Sequence, residues 1–593
     1  MMQPLTAGTH ATGSGASLLF VEGGLTLIAI ATCFAWPRLA FEMFARIERL
    51  LTQVARRKHL AVAIVFFTEI ILRIAILPLV PIPKPFLPDD FSFLLSAETF
   101  ASGRLTNPTP PMWIHFESMH ISMTPTYMSM YFPAQGLILA ASHVLFGNPW
   151  FGILVVTALM CAAICWMLQA WLPSSWALLG GMLAVLHLGL FSYWVNTYVA
   201  SSIAALGGAM VLGAYPRIRR SLRLRYGVIM ALGMVILAMS RPYEGLLLCL
   251  PVAFVLLRQF FFAKSRPSLK LVIQRTALPL TILVAGASWM GYYDYRAFGN
   301  PVTPPYSVNR ATYAVAPYYV WQKQRPDPGY HHVVMRNFYY KNELPGFTHI
   351  HKPILFLPMT LFKAISGVMF FAGVILLVPL VMVRRMLNDR RVRFLVIGIF
   401  VLSAGMVIEV FLIPHYLAPF TAAFYTLGIQ AMRHLRVKKI GGLPVGMTLT
   451  RLLVVLCLTM GGLRLFALPL HFSLDRVPAS EWNLKWFGPG AFGGDRATVV
   501  DALNAQAGPQ LVIVRYGNHH DPMDEWVYNS ADIENSKVVW AREMNAKDDS
   551  QLIQYYKNRT VWLLQPDVNP TLLLHYNLQP QDTLADRWPK EPQ

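Results

Sequence analysis

The stretch PIPKPFLPDDFSFLLSAETFASGRLTNPTP, residues 81–110, follows directly on the apolar run 59–80. Its prolines Pro81, Pro83, Pro85 and Pro88 forbid continuing a helix and favour an extended exit from an apolar medium. From Phe91 a helical pattern resumes. Phe91, Leu94, Leu95 and Glu98 fall at i, i+3, i+4 and i+7, and Gly103 is a natural terminator. The apolar side of that short helix is expected to rest on a bilayer surface or on neighbouring spans. Asp89 and Asp90 therefore stand at a helix N-terminus just outside the apolar run. One carboxylate suffices as an N-cap. The second is not needed for that role, and its like-charged neighbour raises the cost of ionising both. A carboxylate pair at the lipid–water boundary suits a general base or a cation ligand.

Composition makes the medium a membrane. The 593 residues are 55% hydrophobic and only 13% charged, with a mean hydropathy of +0.45. A soluble chain carries about twice that charged fraction. Apolar runs near the length needed to cross the bilayer recur over the first 470 residues. Spans are expected near 17–36, 59–80, 149–170, 175–193, 197–215, 227–240, 246–259, 276–293, 354–383, 394–413, 416–432 and 446–470. The formal charge of +20 is not a nucleic-acid signature. Half of all Lys and Arg sit in the connectors 38–58, 217–225, 258–275, 384–393 and 433–439, beside only three acids. That asymmetry marks these connectors as cytoplasmic. Twelve spans then place both termini outside. Residues 1–16 lack Lys and Arg, so the first apolar stretch is expected to be a retained span rather than a cleaved signal. The five cysteines lie in apolar runs without metal-site spacing.

The expected fold class is an all-α polytopic membrane bundle of about 12 spans, with a small C-terminal α/β domain. Residues 1–58 supply an extra N-terminal span and basic linker, 59–470 the membrane domain, and 471–593 the tail. Outer loops cover 81–148 and 294–352. Tyr131-Phe-Pro-Ala-Gln-Gly136 leads into Leu137–Phe146, which is too short to span and is expected to lie in the interface. Arg241-Pro-Tyr-Glu-Gly245 separates two short spans that could be half-helices meeting in a cavity. In the tail, helices near 497–507 and 550–557 alternate with apolar strands at 510–515, 537–540 and 560–564, which predicts a parallel sheet. Glu69 and Arg73, four apart within one span, are expected to neutralise each other in lipid.

The order of one span, a polar loop opening on an acidic pair, an interfacial helix, many spans and an outer tail resembles the GT-C glycosyltransferases. Within these it is most similar to protein O-mannosyltransferase-like and aminoarabinose-transferase-like membrane enzymes. Residues 59–470 carry the likeness, with Asp89-Asp90, Ser240-Arg-Pro-Tyr-Glu-Gly245 and His415-Tyr-Leu-Ala-Pro419 as its motifs. The span at 17–36 is additional to the family's usual first one.

The resemblance implies transfer of a sugar from a polyprenyl-phosphate carrier to a glycan, lipid or protein acceptor on the outer face, in a bacterial inner membrane with the termini periplasmic. It implies Asp89 as general base and Asp90 as its partner, orienting the acceptor or capping the helix. Arg241 and His415 are candidates for the leaving phosphate, since a guanidinium grips phosphate through two donors. Glu98, Arg104, His115, Glu117, Glu244, Tyr306, Arg310, Glu409 and Tyr416 are candidates for contacting the substrates. His115, Glu117 and His120 are a candidate divalent-metal group without a strong spacing template. A transporter or lipid-linked sugar flippase, and an outer-face ligase of whole glycans, remain alternatives on sequence.

Overall fold

A computed structural model describes residues 18–263, 266–466 and 494–576. Each of the twelve apolar segments is helical, from Leu18–Ala35 to Val445–Leu465. Among the described residues five helices are long and apolar enough to cross a membrane: Trp150–Trp171, Pro242–Phe262, Leu269–Phe298, Pro353–Asn388 and Val445–Leu465. The others are shorter or interrupted. Helix Trp150–Trp171 forms the centre, with Met160, Cys161, Ile164, Cys165 and Leu168 all sealed from solvent. Helix Leu269–Phe298 lies outermost, and Leu280 and Val284 expose more than half of their surface there. An apolar face of that kind fits a lipid surround. Helices Ser201–Ser221 and Leu224–Ala238 cross closely because Gly207 and Gly233 oppose each other. A Cβ on Gly233 would stand 2.8 Å from the Gly207 carbonyl oxygen, which is small-residue packing of the membrane type.

Interior polar groups explain several irregularities. Gly373 breaks helix Pro353–Leu377 with φ 55°. The backbone N–H groups of Val374 and Ile375 then donate to the Glu22 carboxylate, at 3.0 and 3.2 Å. Arg73 is fully buried but directs its donors away from Glu69: to Val80 O at 2.9 Å, Pro81 O at 3.4 Å and Asn196 Oδ1 at 3.1 Å. Its guanidinium lies 4.8 Å from the Trp150 ring centroid. Arg73 thus anchors the chain leaving the bundle through its hydrogen bonds, while its charge still acts on Glu69 one helical turn back, so the expected pairing is electrostatic without a direct contact.

The five basic connectors gather at one end. Arg436 and Arg451 both grip Glu48, on the amphipathic helix Phe41–Arg56. Arg219 bonds Gln259. At the other end lie helix Pro88–Ala101, helix Pro133–Phe146, the segment 299–352 and the tail. The hairpin of β1 (Ile121–Ser122) and β2 (Met128–Ser129) packs there. The tail's sheet comprises β3 (Gln510–Val514), β4 (Val538–Arg542), β5 (Thr560–Gln565) and β6 (Leu572–His575), in the order β4-β3-β5-β6. The first three are parallel, as the sequence predicts. β6 pairs antiparallel with β5 and was not expected. The boundary expected near residue 470 and the chain before residue 18 lie outside the described residues.

The tail docks directly on helix Pro88–Ala101. Phe91 stacks on Tyr528, with centroids 3.9 Å apart. Arg496 lies over Phe91 at 4.6 Å and over Trp540 at 4.7 Å. Arg542 pairs with Glu525 at 2.6 Å, both buried, and donates from Nε to the Glu117 backbone carbonyl at 2.7 Å.

Candidate active site

The proline-rich exit runs extended into Leu87, and Pro88 occupies the first helical position, where its missing N–H costs nothing. The two aspartates that follow have different environments. Asp90 is fully buried. Its Oδ1 accepts from the Tyr198 backbone N–H at 2.7 Å, and its Oδ2 from Leu87 and Phe86, both at 3.4 Å. Burial, helped by the charge of Asp89, pushes its carboxyl up to about 7 against the pull of those amides. Asp90 is therefore the cap, and it fastens the helix to the loop before Ser201–Ser221.

Asp89 is partly open, its side chain 20% exposed. Its Oδ1 accepts from His120 Nδ1 at 2.6 Å and from the Tyr131 hydroxyl. Burial alone would raise this carboxyl. The charge and hydrogen bond of His120, the Tyr131 hydroxyl and the nearby His415 outweigh it and hold the group down at about 2. His120 sits at φ 60°, a left-handed conformation that His adopts more readily than most residues. Its carbonyl is pinned by Ser92 Oγ at 2.6 Å and by the Met130 N–H at 3.0 Å. Strain held this firmly beside a carboxylate is a common mark of a working site.

Around Asp89 stand groups from four further elements. Arg241 caps helix Pro242–Leu257. It lies 3.7 Å from Glu244 and 4.4 Å from the Tyr416 ring centroid. The charge of Arg241 reaches Tyr131, Tyr306 and His415, and that of Asp89 reaches His415, Tyr306 and Tyr416. Tyr306 meets Tyr131 edge-on at 5.4 Å and stacks on Phe132 at 5.8 Å. His415 Nδ1 is 3.1 Å from the Tyr193 hydroxyl. His415 and Tyr416 lie on a tight 3-10 segment, Pro414–Phe420, rather than on the helix expected from 416. Pro414 and Pro419 delay the regular helix to Thr421. Glu409 completes the rim. Its backbone bridges to Tyr319, Lys363 donates to its carbonyl, and its Oε2 has no hydrogen-bond partner among the described residues.

Asp89, Arg241, His415, Tyr306, Tyr416, Glu244 and Glu409 thus come together. The remaining candidates do not join them. Glu98 accepts from the Ala531 N–H of the tail at 2.9 Å. Arg104 bonds Ser102 at 2.9 Å. His115 bonds the Arg542 carbonyl at 3.1 Å. Glu117 takes the Tyr313 hydroxyl at 3.0 Å and His331 at 2.8 Å, and its hydrogen bond, helped by its charge, raises the His331 imidazole against burial. Arg310 is locked to Glu343 at 2.6 and 2.7 Å. These residues join the two outer loops and the tail into one body. The group His115, Glu117 and His120 diverges onto three separate partners, and no cluster of three or more metal-ligating side chains occurs among the described residues. Sequence reasoning missed Tyr131 and Tyr193 as partners and placed His120 only in a candidate metal group, not beside Asp89. The spacing from Asp89 to His120 and Tyr131 carries no signature, since a hairpin and not a helix brings them together.

No family model matches the chain, and no curated protein does. Solved structures do. ArnT from Cupriavidus metallidurans in the apo state aligns over 85% of this chain and 92% of its own, at 13% identity and a TM-score of 0.48. The same protein bound to undecaprenyl phosphate aligns over 85% and 92%, at 14% identity and a TM-score of 0.44. The apo oligosaccharyltransferase of Archaeoglobus fulgidus aligns over 85% and 69%, at 10% identity and a TM-score of 0.44.

Proposed function

We propose that the chain is a membrane glycosyltransferase of GT-C type, moving a sugar from a polyprenyl-phosphate carrier to an acceptor on the outer face. The observation that carries this reading is that an ionised carboxylate, Asp89, and a buried guanidinium, Arg241, act on the same histidine and tyrosines, at the end of the bundle away from the basic connectors. In this reading all twelve helical segments cross the bilayer. The basic connectors face the cytoplasm, and the Asp89 end faces the periplasm of a bacterial inner membrane. Residues 59–470 act as the catalytic domain, with 1–58 and 471–593 appended to it.

The chemistry balances within the residues present. The acceptor oxygen attacks the anomeric carbon while the bond from that carbon to the phosphate oxygen breaks. The acceptor's proton passes to Asp89, whose Oδ2 takes no hydrogen bond among the described residues. A carboxylate held at about 2 accepts a proton only once the acceptor oxygen has become cationic. That suits a transition state in which the sugar–phosphate bond is largely broken. The departing polyprenyl phosphate gains charge at Arg241. With Nδ1 tied to Tyr193, His415 offers Nε2 to the same phosphate. The tyrosine faces of Tyr306 and Tyr416 suit the sugar.

The test is transfer itself. The full chain, in proteoliposomes, is given radiolabelled polyprenyl-phosphate sugars and membrane extract. Label should leave the lipid fraction and enter an acceptor. Label that crosses the bilayer still attached to its lipid would favour a flippase and overturn the transferase reading. Transfer of oligosaccharide but not of single sugars would move the assignment to a ligase.

A further inference from the structure

The end of the bundle remote from Asp89 carries a cavity of about 540 Å³. Its inner wall is aromatic. Tyr215 and Phe394 stack with centroids 4.2 Å apart, and Trp171 stacks against both, at 6.1 and 6.2 Å. Its rim is cationic, formed by Arg219 and Arg220 at the end of helix Ser201–Ser221 and by Arg390 and Arg391 in the connector before helix Arg393–Ile408. Among the described residues no acid lines it. The nearest connector acid, Asp389, is occupied by Gln430, by the Arg391 backbone N–H at 2.9 Å and by His434 at 3.4 Å. Arg220 donates one nitrogen to the Ala170 carbonyl at 3.0 Å, and Arg219 is steered by Tyr215 and Gln259. The guanidiniums of Arg390 and Arg391 are exposed and make no side-chain hydrogen bond among the described residues, although the Arg391 charge acts on Asp389.

We propose that this cavity is an anion site that binds a phosphate headgroup, independent of the Asp89 site. The argument is one of charge and shape. Isolated basic residues at a membrane boundary need no cavity, since they extend into water. Here guanidiniums from two connectors line one concave wall, so a single bound anion can meet several donors at once. Guanidinium forks match phosphate oxygens, and the aromatic wall accepts the first carbons of whatever carries the phosphate. A basic recess between helix ends is the sort of place where acidic lipid headgroups bind. The 21 residues of helix Ser201–Ser221 separate this cavity from the loop fixed by Asp90 by about 30 Å, so it cannot serve the same phosphate at the same time. The phosphate can come from a lipid or from solution.

The test uses the full chain in nanodiscs of phosphatidylcholine, alone or mixed with phosphatidylglycerol. After detergent extraction, the lipid retained is measured by native mass spectrometry. A parallel arm titrates inorganic phosphate in detergent and follows thermal stability. The variants are Arg390→Gln/Arg391→Gln, in an exposed connector, and separately Arg219→Gln. Retained phosphatidylglycerol that falls about thirtyfold in affinity in the double variant supports the site with a lipid source. Stabilisation by inorganic phosphate, lost in the same variants, supports it with a soluble source. If wild type retains no anionic lipid and shows no phosphate effect, or if binding is indifferent to both variants, the proposal falls. Wild-type retention is read without any variant, so a folding defect in one of them leaves the test intact.

Discussion

Replacing Asp89 by asparagine keeps the side chain's shape and one carbonyl oxygen but removes the charge that His120 and Tyr131 surround. Two effects of different size follow. Holding this carboxyl at about 2 rather than 3.8 contributes roughly 2.5 kcal/mol to stability at neutral pH. The sign is that of a depressed acid: the contribution is fully present above about pH 4 and is lost as pH falls through about 2. Because the side chain is 20% exposed, solvent screening makes that figure an upper value. Loss of the proton acceptor should lower kcat about 10²–10⁴-fold, or roughly 3–5.5 kcal/mol of barrier. The assay is sugar transfer per folded molecule, with folded protein counted by size exclusion and melting. Wild-type kcat should also stay flat from neutral pH down to about pH 4, since Asp89 remains ionised throughout. A variant that melts lower yet retains more than a tenth of wild-type turnover would refute the base assignment and leave Asp89 a structural partner of His120.

Three further outcomes separate site from scaffold. Arg241→Lys keeps the charge but loses the two-pronged grip, so kcat/KM for the lipid donor should drop on the order of tenfold to a hundredfold with little change in melting. Asp90→Asn places an NH2 group against the Leu87 and Phe86 amides and should cost about 1–3 kcal/mol of stability; turnover per folded molecule should stay within roughly threefold, and a larger loss would return Asp90 to the chemistry. Arg542→Gln leaves Glu525 charged and buried, a change that should cost about 3–5 kcal/mol and loosen the tail, seen as faster proteolysis of residues 494–576 in limited digestion.

Much of the architecture is legible because it rests on long patterns. Apolar runs give the helices, the basic connectors their common end, and alternating helix and strand the parallel part of the tail. Strand β6 escapes because Leu572–His575 is short and pairs only locally. The site is legible where a motif sits at a helix end, as with Asp89, Arg241 and His415. It is not legible where tertiary folding decides a polar residue's partner. Glu98, His115, Glu117 and Arg310 look like substrate ligands in a polar loop, but each is held by the tail or by the second outer loop. Their chemistry is the same in either role, and only distance separates the two. Glu69 and Arg73 keep the charge interaction their spacing predicts, but the Arg73 hydrogen bonds go to the Val80 and Pro81 carbonyls and to Asn196.

The first turn of helix Pro88–Ala101 works as an index. Successive residues on an α-helix are rotated by about 100°, and here three in a row address three bodies: Asp89 the His120 and Tyr131 side chains, Asp90 the loop at Tyr198, Phe91 the tail at Tyr528. The azimuth of Asp89 is thus clamped from both flanks, and a roll of one position would deliver the wrong acid. What matters is which of the two acids the third residue's stacking partner turns inward, so the tail, far along the chain, helps choose the carboxylate that faces His120 and Tyr131.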